Sequence, residues 1–449
     1  MFKRIEIWIL YLTILIGILF AIGFGILVRQ ELAGNIKLGN ISKLALFIAE
    51  IPSKLKYEFI GLKVPNRFED TPGGFSGDTS QEELYLLLSR YDGDIGQSII
   101  ELIDLRSFDV LHTWNPDMDE INSKTTKTEE FKYLRRDKHD DRAQFTHPFL
   151  LENGNLLFHS SSPLISINSC SELVMLNDSD RFHHSIEEDG DGNLWISTYK
   201  FPYSLPSNYI GDNFENFYDD TLVKISPEGK VLYEKPISEI FIENGLEYLL
   251  FAVGNSQFNM DPIHINDIQP VIEDSNYWKK GDLFLSIRNQ SMIILYRPSS
   301  NEIIWRDQGK FFYQHDIDIL DDHRISIFNN NTKNFFNATS VDGLSSVLIY
   351  NFKTEAYRPY LENSFIINDI FSTTGGRSEI LPNGDLFVEE SNFARTLYFN
   401  SDGSLKWLHL NKSINGDPYL VNWSRILYTK KDINKVQNFI NNRAQCNEK

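Results

Sequence analysis

The feature that most constrains what this chain can fold into is a pattern that returns about six times between Glu83 and Leu410. In each copy a short apolar strand meets a turn rich in Asn, Asp or Gly. A second apolar strand follows, then a third and a fourth with another turn between them. The second copy, His147 to Leu176, reads HPFLL, ENGN, LLFHSSS and PLISINSCSELVML. The third runs from His184 to Lys235, the fourth from His264 to Trp305, the fifth from Gln314 to Phe352 and the sixth from Arg377 to Leu410. The first spans Glu83 to Trp114. Glycine and Asn/Asp between strands are what tight hairpins require, because their turns need positive φ. Four-stranded repeats of roughly 40 to 50 residues read as propeller blades. The expected fold is all-β, a six-bladed β-propeller over residues 76–430 with an N-terminal transmembrane helix. The segment Tyr419 to Tyr428 is expected to return and complete the first blade.

Composition agrees with a large sheet-built core, since aromatic residues make up 13% of the chain, with 32 Phe and 20 Tyr. The net charge of -19 repels nucleic acid. Cys170 lies mid-chain and Cys446 three residues from the end, so neither a disulfide nor a metal spacing is expected. Asp189-Gly-Asp191-Gly-Asn193 has a calcium-loop look, but its sixth position is Leu194 rather than Gly, so it reads as a turn.

Residues Ile7 to Val28 carry no charge and are long enough to cross a hydrocarbon core of about 30 Å. No small-residue cleavage site follows, so residues 1–30 read as an uncleaved signal anchor. Lys3 and Arg4 before the span mildly favour an exported, periplasmic body. Residues 31–75 read as an amphipathic stalk and linker, and 431–449 as a polar tail.

In a blade the first strand lies innermost and starts at one mouth of the channel, and the antiparallel second strand returns to that mouth. Strand-one starts hold His147, His184 (after His183), His264, His315 and the Arg377-Ser378 pair. Strand-two ends hold His159, Thr198, Arg288, Asn329 and Glu389. Any one of these histidines would serve to close a strand on a backbone carbonyl. Four of the ten histidines in one register imply a shared direction and a common site. A ring of imidazoles either binds a transition metal or holds an anionic, oxygen-rich group and offers a nitrogen as nucleophile. Arg288, across its hairpin from His264, repels a dication and suits a sulfate or phosphate. It favours the anion and no metal. Two other functions fit a propeller: a non-enzymatic envelope protein that binds a partner, and a metal-dependent lyase.

The stretches THPFLLENGNLLF, HHSIEEDGDGNLWIST, IHINDIQ with LFLSIRNQSMI, and FYQHDIDILDDHRISIFNNN carry a resemblance. Over roughly Phe145 to Leu410 the chain resembles the bacterial arylsulfotransferase family, whose members form six-bladed propellers in the periplasm. The resemblance implies transfer of a sulfuryl group from an aryl sulfate donor to a phenolic acceptor, with no nucleotide donor and no cofactor. It implies His315 as the nucleophile that becomes sulfohistidine. It gives His264 and Arg288 the sulfuryl oxygens, and His184 the sulfuryl group or phenol oxygen. His147, Asn266, Gln290, Asn329 and Arg377 are expected to contact substrate. A neighbouring arginine should keep the His315 imidazole neutral. Asp316 points the other way in a strand and is not expected to orient His315. Members of the family carry a disulfide, for which no pair is expected here.

Overall fold

The computed structural model describes residues 6–32, 39–60, 62–126, 130–131, 133–205, 217–252, 259–336, 338–444 and 446. The chain divides into two units, Met1–Gly61 and Leu62–Lys449. In the first, the apolar run forms a helix, Ile7–Leu32, followed by a second, Gly39–Ile60, with Pro52 inside it. Among the described residues the former is the one helix long and apolar enough to cross a membrane, and nothing of its apolar window is buried.

The second unit is a propeller-like arrangement of antiparallel sheets. Among its described residues, four sheets have the size of a single blade, one of five strands and three of four, and a further sheet has seven. The expectation of six separate blades is corrected here. The strand Leu173–Glu188 runs for 16 residues. Its first part closes the second copy of the repeat and its last part opens the third, so one continuous hydrogen-bonded ladder spans both copies. The Asp189 turn behaves as a turn: its carboxylate accepts from the Asp191 and Asn193 amides, with Gly192 at φ 81°.

Period-two alternation packs each sheet on both neighbours. Leu87 faces the sheet of Phe145 and Phe158, whereas Leu86 and Leu88 face Phe387, Tyr398 and Trp407. As expected, the closing segment returns. Arg425–Leu427 pairs antiparallel with Tyr85–Leu87 and becomes the inner strand of the first copy. Buried carboxylates clasp successive inner strands. Asp220 accepts from the His264 and Ile265 amides, Asp267 from Ile317, Asp316 from Ser378, and Glu389 from Trp423 and Ser424, all at 2.6–3.1 Å.

Two edges are covered by segments outside the repeat. Gly74–Gly77 straddles the end of the expected linker and adds a fifth strand beside Leu405–Leu410. Within the expected polar tail, residues 431–442 are helical. Lys430–Asn442 starts on a Thr429/Asp432 capping box and buries Val436 and Phe439 among Trp114, Ile121 and Leu156. Beyond it, Cys446 is disulfide-bonded to Cys170 with Cα atoms 5.3 Å apart. The expectation of no disulfide therefore fails. Spacing of 276 residues hides a pair that only the docking of this helix brings together.

Candidate active site

The register of strand starts places a cluster of rings at one mouth. His147, His184, His264 and Trp423 all sit at left-handed φ, between 49° and 56°, at the starts of four inner strands. An L residue in this region costs about 1 to 2 kcal/mol, and such strain gathers where function over-determines the backbone. The His184 ring centroid is 5.0 Å from His264, 6.4 Å from His315 and 6.0 Å from Trp423. Trp423 in turn stacks on His147 at 5.1 Å and lies 6.4 Å from His315. Trp423 belongs to the returning segment and was not among the expected site residues. The same register rule, applied to the closing strand, finds it.

His315 is held on both nitrogens. Asn330 gives its Nδ2 to the Ser372 and Gly375 carbonyls, so its Oδ1 is the atom that faces His315 Nδ1, at 2.6 Å. Nδ1 must therefore carry the proton, and Nε2 the lone pair. Consistently, the Gly375 amide donates to Nε2 at 3.0 Å. Burial, then the Arg288 charge, push the His315 pKa down to about 3, so the ring is neutral. Arg288 itself has its Cζ 4.4 Å over the Tyr313 ring and donates to Asn289 Oδ1. The charge of the nearby Asp261 carboxylate also acts on it. The Arg288 backbone amide bonds the His264 carbonyl at 2.9 Å, which confirms the hairpin register read from sequence. His184 shares a 2.6 Å contact between Nδ1 atoms with His183, which stacks on Tyr199 at 3.8 Å. His159 donates to the His184 carbonyl and so supports the backbone under the site. Neither nitrogen of buried His147 has a hydrogen-bond partner. Burial pushes the His147 and His184 pKa values well down, leaving these two imidazoles neutral.

Four expected substrate contacts have hydrogen-bond or ion-pair partners within the fold. Asn266 donates to the Gln314 carbonyl, and Gln290 to the carbonyls of Pro262 and Leu249. Asn329 accepts from the Phe312 and Asn331 amides, while the next residue, Asn330, holds His315. Arg377 is buried beside Asp316 and Glu379, 3.7 and 3.4 Å away, in a polar layer with Asp318. Asp316 clasps Ser378 and does not orient His315, as its place in the strand implied. Among the described residues, the one group with metal-ligand spacing is Asp321, Asp322 and His323, in an exposed turn at the far end of the His315 hairpin.

The model of the arylsulfotransferase (ASST) family matches residues 147–412. The chain belongs to the arylsulfotransferase family. The matched span holds all four clustered histidines and Arg288, while Trp423 lies beyond it. Among curated proteins, no relative of this arylsulfotransferase-family chain matches. Solved structures resemble it in arrangement. A protein of unknown function from Bacteroides caccae aligns at TM-score 0.47 and 10% identity, over 77% of this chain and 99% of that one. A streptogramin B lyase aligns at 0.37 and 9%, over 78% and 96%. The Dos1 propeller aligns at 0.37 and 9%, over 74% and 72%.

Proposed function

We propose that this chain moves a sulfuryl group from an aryl sulfate ester to a phenolic acceptor through a covalent sulfohistidine at His315. The observation that carries this reading is the state of that ring: neutral, with its proton fixed on Nδ1 by Asn330 and its lone pair on Nε2. Sulfuryl transfer, like phosphoryl transfer, spreads charge over three oxygens, so catalysis is mostly positioning and electrostatics. Arg288, whose guanidinium lies over Tyr313, supplies the counter-charge those oxygens need. Nε2 attacks sulfur as the aryl oxygen departs, and a phenol oxygen then takes the group from nitrogen. The Gly375 amide must release Nε2 before the attack, and Gly375 and Gly376, both at positive φ, give the chain room to turn there.

We further infer that the helix Ile7–Leu32 anchors the enzyme in a membrane with the propeller exported. The Cys170–Cys446 bond supports that placement, since such bonds persist in oxidising compartments. The test of function is incubation with a chromogenic aryl sulfate and a phenol. Wild type should release the chromophore and sulfate the phenol, and His315→Ala should sit at background. Equal rates for the two overturn the reading.

A further inference from the structure

His264 is held differently from its neighbours. Its Nδ1 lies 2.6 Å from Asp261 Oδ2, and both side chains are about a quarter exposed, at 20% and 27%. Asp261 is itself fixed, since its amide donates to Asn259 Oδ1 and its carbonyl accepts from Asn289 Nδ2 at 2.7 Å. With Nδ1 turned to a carboxylate, the Nε2 of His264 is the nitrogen left to exchange a proton. The second carboxylate oxygen, Oδ1, is buried and has no partner. His315 has the opposite design: a neutral amide on Nδ1 and a ring buried in the fold. An imidazole backed by a carboxylate is built to take up a proton, and one backed by an amide is not.

We propose that Asp261 and His264 form a proton-transfer pair that serves the phenolic oxygen in both half-reactions, with Asp261 the positioning residue. The assignment rests on the sulfuryl-transfer reading above and gives His264 a task other than holding sulfuryl oxygens. In the first half, the His315 Nε2–sulfur bond forms and the sulfur–aryl oxygen bond breaks. The departing oxygen takes the proton of His264 Nε2. In the second half, the acceptor hydroxyl gives its proton to the now neutral His264 Nε2. Its oxygen bonds to sulfur, and the nitrogen–sulfur bond returns its electron pair to His315. The proton lent in one half is recovered in the other, so no further reactant is needed.

The test compares two donors on the full chain, 4-nitrophenyl sulfate and 4-methylphenyl sulfate, by kcat/KM for the donor, which reports the first half-reaction alone. An unactivated phenol with a pKa near 10 needs its leaving oxygen protonated, and the nitrophenolate does not. The loss caused by Asp261→Asn should be about 30-fold or more greater on the methylphenyl donor than on the nitrophenyl donor. His264→Gln should show the same dependence on donor. Equal losses on both donors for both variants overturn the pair while leaving sulfuryl transfer standing. A wild type that moves no sulfuryl group from either donor overturns both.

Discussion

Asn330 and Gly375 set the character of His315, and each can be tested alone. Replacing Asn330 by Ala removes the acceptor that fixes the ring's proton on Nδ1, 2.6 Å away. Sulfuryl transfer should fall about 100-fold in kcat, the scale of a misplaced proton-bearing group, with the melting temperature little changed. Gly375→Ala acts through shape. A Cβ there would stand 3.0 Å from Trp423 Cζ2, at φ +79°. The variant should lose about 1 to 2 kcal/mol in denaturant unfolding and bind donor poorly, because the amide that meets His315 must move. The histidines were legible in the sequence because they occupy one register of a repeat. Asn330 was not, because it lies just past the Arg324–Asn329 strand, where pairing no longer dictates which way a side chain points. Asp261 was equally hidden: its turn, three residues before His264, belongs to no strand.

At the scale of elements, the clasps between inner strands decide how firmly the ring closes. Glu389 accepts the amides of both Trp423 and Ser424, so Glu389→Ala leaves two buried donors unsatisfied. A loss of about 3 kcal/mol is expected in chemical unfolding, and transfer activity should fall further than stability does, since Trp423 stands among the histidines. The hairpins themselves were readable from alternation and turn residues. Their grouping into sheets was not. Nothing local tells whether the chain after Leu176 breaks or, as it does, runs on through Arg181 into the next meander. The C-terminal helix escaped for a similar reason. Its polar face dominates the composition, while the Val436 and Phe439 contacts that hold it come from residues as distant in the sequence as Trp114.

For the whole molecule, the buried histidines tie stability to pH. Burial pushes His159 down to about 4 and His409 to about 3. Between those values and the ordinary 6.5 of the unfolded chain, unfolding takes up protons, so stability is lost as pH falls through that window. Replacing His409 by Gln should therefore raise the melting temperature relative to wild type progressively from pH 6.5 downward. Glu379 has the reverse sign: burial raises it to about 7. Its folded form holds a proton the unfolded chain has released, so stability falls as pH rises from about 4.5 to 7, and Glu379→Gln should gain on wild type over that range. Melting curves across pH 4 to 8 check both. The ring closure also has a consequence in time. Trp423 reaches the histidines only when Arg425–Leu427 has paired with Tyr85–Leu87, one of the longest-range pairings in the fold. A ribosome that has delivered every histidine of the cluster has still delivered no complete site, so a chain in synthesis or one halted before Leu427 carries its reactive residues without a place to use them.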